Sequence, residues 1–224
     1  MSTNKTALVL GASGLVGNEL VKTLIQRNQY NKIHLLIRRP IENFESPVCE
    51  QFIADFDKLE AYSELFQVTD VFCCLGTTIK KAKSKEVFRK VDFEYPLEAA
   101  KLALKGGAEK FLIVSAMGAD SKSRFFYNQV KGDVEKSLKT LNLRSLHIFR
   151  PSLLLGKRKE FRFGEKLAAK ASGLLNKVMV GPLRPYKAIE AKKVALAMAI
   201  TAESGKNVMN TYPSHEIERI ANQK

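Results

Sequence analysis

A chain of 224 residues, 45% hydrophobic and 27% charged, is long enough for one sizeable core but not for two full domains, and its balance excludes disordered and fibrous classes. No apolar run approaches the roughly 20 residues that cross a bilayer. The net charge of +14, from 37 basic and 23 acidic residues, raises nucleic acid and anionic surfaces as partners. Yet its clusters, Lys80, Lys81, Lys83 and Lys85 and then Lys157, Arg158 and Lys159, carry no interleaved aromatics and no nucleic-acid motif. A solvated basic face is expected, with some attraction for a phosphorylated cofactor, and no specific nucleic-acid binding.

In chain order, Thr6 to Leu10 reads as a short buried strand, Gly11-Ala12-Ser13-Gly14-Leu15-Val16-Gly17 as a turn, and the residues to about Asn28 as a helix. One lysine before an apolar run that breaks at Gly11 does not make a secretory leader, so the start is read as mature protein and the protein as cytoplasmic. Ile33 to Ile37 is the next strand, completing a βαβ unit within roughly thirty residues. Gly11 permits a tight turn, Gly14 lets backbone approach a pyrophosphate, and Gly17 lets the helix pack close to the sheet, while the helix N-terminus offers N–H groups to phosphate. The residues expected to hold a dinucleotide here are Gly11, Ser13, Gly14, Leu15, Val16 and Gly17.

The second strand ends in Arg38-Arg39, where an NAD site commonly has a carboxylate for the ribose hydroxyls. Two guanidiniums suit the extra 2′-phosphate, so NADP(H) is expected over NAD(H). Val48 to Ile53 reads as a third strand, with Asp55 and Phe56 beyond it placed to meet the adenine, although Asp55 could equally cap a helix starting near Lys58. Asp70 to Leu75 is a fourth strand, and Leu75, Gly76 and Thr77 bring a second glycine to the cofactor. Its cysteines, Cys73 and Cys74, should face opposite sides of the strand and stay reduced with Cys49. No metal-ligand spacing occurs, and His34 and His147, inside strands, are expected to be packed residues.

A long helical segment, Ser84 to Lys105, precedes the apolar run Phe111 to Val114, which ends in Ser115 at a strand's carboxyl end. From Arg124 a helix follows, with Phe126, Val130, Val134 and Leu138 as its apolar stripe and Tyr127 and Lys131 on one face. A phenol loses its proton near pH 10, too high for work at neutrality, but a nearby ammonium favours the phenolate. Tyr127 could then act as general acid or base, with Ser115 bonding the substrate oxygen. The strand Arg144 to Phe149 ends in Arg150-Pro151, Pro151 being a further cofactor contact. Strands alternating with helices predict an α/β fold, a doubly wound parallel sheet of Rossmann type in a single domain, 1–224. Residues 152–224, with helices near Gly164 to Leu175, Ile189 to Glu203 and Glu216 to Ala221 and a strand near Val208 to Tyr212, are expected to contribute a small substrate-covering region.

GASGLVG at the start, Ser115 and YNQVK at 127–131 together resemble the short-chain dehydrogenase/reductase superfamily. VFCCLGTT at 71–78, VSAMGAD at 114–120, FFYNQVKG at 125–132 and FRPSLLLGKR at 149–158 resemble more narrowly its atypical group, which contains the human Tat-interacting protein and bacterial chains labelled nucleoside-diphosphate-sugar epimerases. That resemblance covers nearly the whole chain. It implies an NADP-binding Rossmann fold with Ser115, Tyr127 and Lys131 at the catalytic positions, and a possible homodimer. Two departures stand out: Asp92 where many relatives have Asn, and Cys74-Leu75-Gly76-Thr77 in place of Asn-Asn-Ala-Gly. The extended epimerases also have a larger carboxyl-terminal region, so a small carbonyl or alcohol substrate is expected here. The sequence leaves two function classes: an NADPH-dependent oxidoreductase, and a catalytically silent NADPH-sensing binding protein.

Overall fold

Short apolar runs alternating with amphipathic segments build seven parallel strands in the computed structural model, which describes residues 5–41, 46–156, 187–204 and 208–223. In chain order the elements are β1 (Thr6–Leu10), α1 (Leu15–Arg27), β2 (Lys32–Ile37), β3 (Cys49–Ile53), a 3-10 stretch (Phe56–Phe66) and β4 (Asp70–Cys73). Then come α2 (Ile79–Ala82), α3 (Lys85–Arg89), a π-helical stretch (Lys90–Glu94), α4 (Tyr95–Lys105), β5 (Lys110–Val114), α5 (Phe126–Lys139) and β6 (Leu146–Arg150). The chain closes with β7 (Leu154–Leu155), β8 (Ile189–Glu190), α6 (Ala191–Glu203), β9 (Met209–Pro213) and α7 (Ser214–Ala221). The large sheet runs β3-β2-β1-β4-β5-β6-β9 with every neighbouring pair parallel.

Strand alternation sorts the core into two layers. Ala7 and Val9 of β1 pack with Val16, Leu20 and Leu24 of α1, Val194 and Met198 of α6 and Ile217 of α7. Leu8 and Leu10 turn to the other face, against Leu59 and Phe66 of the 3-10 stretch, Ala99 and Ala103 of α4 and Val134 and Leu138 of α5. Each such fully buried aliphatic or aromatic side chain stabilises the fold by roughly 1.5 to 3 kcal/mol. Cys73 joins the second layer and Cys74 leans on the first, so the adjacent thiols do face opposite sides, and all three cysteines are free. The doubly wound parallel sheet expected from the sequence is the fold.

Buried polar groups sit away from the carboxyl ends of the strands, or are paired. At the start of β4 the Tyr30 hydroxyl donates to Asp70 Oδ2 at 2.7 Å, and Lys110 Nζ lies 3.7 Å from Asp70 Oδ1. His147, in β6, is fully buried between the Ser145 and Tyr212 hydroxyls, each 3.0 Å from one ring nitrogen. Burial, with Lys110 adding to it, pushes its pKa down to about 4, so the ring is neutral.

Two elements differ from the sequence expectation. The segment from Ser84 to Lys105 is not one α-helix, because Lys90–Glu94 closes in π-helical turns between α3 and α4. Ile189 and Glu190 are a strand preceding α6, since the Leu153 carbonyl, far off in sequence, accepts the Ile189 N–H at 2.9 Å. The expected helix from Gly164 to Leu175 and the basic cluster Lys157 to Lys159 lie outside the described residues. Among the described residues no helix is long and apolar enough to cross a membrane.

Candidate functional site

The strand order reverses between β1 and β4. From β1 the chain winds outward to β2 and β3, and from β4 it winds the other way to β5, β6 and β9. The loops leaving the carboxyl ends of these two neighbours therefore diverge and leave a crevice, the place where open α/β sheets take ligands. Both loops carry glycine. Gly11 holds φ +82°, and a Cβ on it would stand 2.6 Å from the Cys74 carbonyl oxygen, so only glycine lets the two loops touch. A Cβ on Gly17 would come within 2.2 Å of the Gly11 carbonyl oxygen, so glycine there seats α1 directly on its own turn. The turn closes through Gly14 N–H to Gly11 O at 2.9 Å.

This turn fits a dinucleotide's phosphates. Gly14 is the N-cap of α1 and makes no side-chain cap, the first turn has no acidic residue, and Ser13 and Gly14 are exposed. The first N–H groups of a 13-residue helix thus point into the crevice with their positive end uncompensated. Arg38 and Arg39 follow β2 directly and are exposed, with Arg38 near enough to Tyr95 to act on its phenol electrostatically. Gly76 is exposed beyond β4. Gly156 lies against the glycine turn, for a Cβ there would be 2.7 Å from Leu15 Cδ1.

The other wall is α5. Tyr127, Lys131 and Glu135 stand at four-residue steps on one stripe of this helix, each meeting a different element. The Tyr127 ring packs against Phe88 of α3 at 5.7 Å between centroids. Lys131 Nζ is 2.7 Å from Asp92 Oδ1 in the π-helical stretch, and the other Asp92 oxygen accepts the Thr77 N–H at 2.8 Å. Glu135 accepts the Ser115 hydroxyl proton at 2.5 Å, and Arg150 grips it from the end of β6 with bonds of 2.6 to 3.1 Å. A Cβ on Gly132 would fall 2.0 Å from Ser121 N, so glycine there lets the loop after β5 lie on the helix and brings Ser115 beside the stripe.

Exposure separates the roles. Tyr127 exposes 36% of its surface, whereas Ser115 and Lys131 expose 5% and 4%. The phenol is reachable from solvent and the ammonium lies behind it. Burial alone would lower the Lys131 pKa, but the Asp92 carboxylate, and after it the Tyr127 oxygen, outweigh burial and hold it above the usual lysine value. Lys131 therefore stays charged. Chemically, the arrangement offers an accessible phenol, a fixed charge behind it and a serine oxygen tied to the same helix through Glu135.

The structure sets Tyr127 and Lys131 on one stripe of α5 and ties Ser115 to Glu135 two turns past Tyr127 on the same stripe, while Gly11, Ser13, Gly14, Leu15, Val16 and Gly17 form the turn after β1 and the start of α1. Leu75, Gly76 and Thr77 line the same crevice, and buried Pro151 accepts the Met117 N–H at 3.0 Å just past β6. Asp55 caps the 3-10 stretch, accepting the Asp57 N–H at 3.0 Å, and Phe56 is buried against Tyr95. Sequence reasoning missed Glu135 and Arg150. The four-residue step from Tyr127 to Lys131 continues to Glu135 and was the available signal for the first; the second needed the strand order.

Fold and crevice define a Rossmann-type α/β protein with a doubly wound parallel sheet. The chain belongs to the HIM1 family, whose model matches residues 43–182. It is similar to Protein HTATIP2 of Rattus norvegicus, at 44% identity over 176 residues that cover 77% of this chain and 72% of that protein. It is also similar to Protein FMP52, mitochondrial, of Lodderomyces elongisporus, at 31% identity over 231 residues and 97% of both chains. Among solved structures, the Bordetella bronchiseptica enzyme WbmH in complex with NAD+ superposes with a TM-score of 0.71 at 13% identity, over 94% of this chain and 76% of that one. A likeness that remote concerns the fold alone.

The relatives correct one expectation. The cytoplasmic location expected from the first residues does not hold, for the fungal relatives are named as mitochondrial proteins, which overturns it. A secretory leader is only one of several receptor-read addresses, so the character of the first residues does not choose among locations.

Proposed function

We propose that the protein is an NADP(H)-dependent oxidoreductase that interconverts a small carbonyl compound and its alcohol. The observation that carries this reading is the stripe Tyr127, Lys131 and Glu135, standing beside Ser115 across the crevice from the uncapped glycine turn. The nicotinamide cofactor, when bound, supplies the hydride chemistry. Binding falls to Gly11, Ser13, Gly14, Leu15, Val16 and Gly17 around the phosphates, to Arg38 and Arg39 at the 2′-phosphate, and to Leu75, Gly76, Thr77 and Pro151 along the crevice. Asp55, exposed just beyond β3, would meet the adenine, whereas the Phe56 ring is buried against Tyr95 and is withdrawn from it. The NAD+ complex of the structurally similar WbmH supports the cofactor class.

Tyr127 gives up or takes the proton of the substrate oxygen, and its exposure suits that exchange. Lys131, buried behind it and held charged by Asp92, keeps a fixed positive charge near the tyrosine oxygen and holds the nicotinamide ribose. Ser115 orients the substrate oxygen. Its proton is committed to Glu135, so in this state it presents lone pairs to the crevice, which suits an alcohol; receiving a carbonyl requires the hydroxyl to turn. Of the region after Pro151, Gly156 lies against Leu15 at the glycine turn, which supports a place for that part of the chain beside the cofactor.

The test is a panel of small carbonyl compounds and alcohols with NADPH and NADP+. Tyr127→Phe should abolish turnover, at least about a hundredfold, while NADPH binding stays within about twofold of wild type. A variant that still turns over removes Tyr127 from the reaction. Cofactor binding with no turnover across the panel favours the sensing protein instead.

A further inference from the structure

Asp92 stands where the resemblance leads one to expect Asn, and it does two things at once. One carboxylate oxygen is 2.7 Å from Lys131 Nζ, with 1% and 5% of the two side chains exposed, and the other accepts the Thr77 N–H. The charged groups packed around the pair are turned elsewhere. Arg89 of α3 bonds Asp133 at 3.0 Å, and Lys90, next in the chain, bonds Asp57 at 2.7 Å. The Cys73 thiol, the remaining titratable neighbour on β4, is pushed by burial up to about 12 and stays neutral. Lys131 and Asp92 therefore form a closed, electrically neutral unit in low dielectric.

The wall over this unit is thin. Gly76 is exposed to the crevice, and a Cβ on it would stand 3.4 Å from Asp92 Oδ1 and 3.9 Å from Lys131 Nζ. Whatever lies against Gly76 lies against the pair, with no side chain between. An asparagine in place of Asp92 would keep the shape and the bond to Thr77, but leave a lone ammonium there. A lone ammonium repels a cationic ring and is indifferent to a neutral one.

We infer that Asp92 sets the redox-state preference of the site: by cancelling the charge of Lys131 behind Gly76, it lets the cationic oxidised nicotinamide bind nearly as well as the neutral reduced one. The inference rests on the cofactor reading above. One uncompensated charge at the effective dielectric of such a site shifts the affinity of a cation by on the order of tenfold. Asp92 is thus a positioning and specificity residue rather than a catalytic one.

The experiment titrates the full chain with NADPH by fluorescence and displaces it with NADP+ at fixed ionic strength, against wild type at the same pH, at about pH 6 for Asp92→Asn so that burial does not discharge the lysine and at about pH 8 for Lys131→Met so that burial does not protonate the carboxylate. In Asp92→Asn the ratio Kd(NADP+)/Kd(NADPH) should rise about tenfold. In Lys131→Met, where the carboxylate is the charge left over, it should fall about tenfold, even as both affinities drop with the lost ribose contact. The opposite signs identify charge as the cause, and if one variant does not fold, as judged by its melting curve, the other decides. Ratios that stay within about twofold of wild type, or that move the same way in both, overturn the inference and leave the cofactor reading standing. A wild type that binds neither cofactor overturns both.

Discussion

Glu135 holds a serine proton and a guanidinium at once, although it is 2% exposed and carries a charge. A carboxylate so placed persists only because Arg150 compensates it. Removing one partner of such a pair is far worse than removing both. Arg150→Met should therefore lower the stability to urea by about 3 kcal/mol, and Glu135→Met with Arg150→Met should recover much of that loss. A single variant within about 0.5 kcal/mol of wild type would show that the pair is solvated and does not fix Ser115. At this scale the catalytic types were legible, since Tyr127 and Lys131 share a helical face by spacing and Ser115 ends an apolar run. Their partners were less so. Asp92 and Arg150 are local residues of no marked pattern, and only the packing of the π-helical stretch and β6 on α5 reveals what they meet.

Among the elements, β6 and β9 form the edge opposite β3, and their joint is the polar triad Ser145, His147 and Tyr212 under the ring of Phe149. Folded, the imidazole takes a proton only near pH 4, whereas in the unfolded chain it does so near 6.5. The unfolded state thus binds more protons between those values, and stability rises with pH across the window. His147 contributes fully above about pH 6.5, and its contribution fades as pH falls toward 4, by on the order of 3 kcal/mol. Urea unfolding followed from pH 7 to 4 should show that slope, and His147→Gln should flatten it. An equal slope in the variant would assign the acid sensitivity to other groups. Most elements were legible because their apolar periods are clear, with β1 and α1 falling as expected. The π-helical stretch and β8 were not, since the first depends on a local shift of helical bonding and the second on a distant carbonyl.

For the molecule as a whole, the sequence showed alternation and so a parallel sheet, but not the order of its strands. The order decides the function, because the reversal between β1 and β4 is what opens the crevice and sets the glycine turn opposite α5. Location was read wrongly at this scale, from a feature that does not encode it. The central claim is that this crevice takes a phosphorylated dinucleotide and that Arg38 and Arg39 select it. Calorimetric titration of NADPH and NADH into wild type and into Arg38→Ala with Arg39→Ala tests it most directly. The account predicts that wild type prefers NADPH, and that the double variant loses roughly ten- to hundredfold in NADPH affinity while NADH changes little. Failure of wild type to bind either cofactor, or equal losses for both in the variant, would contradict it.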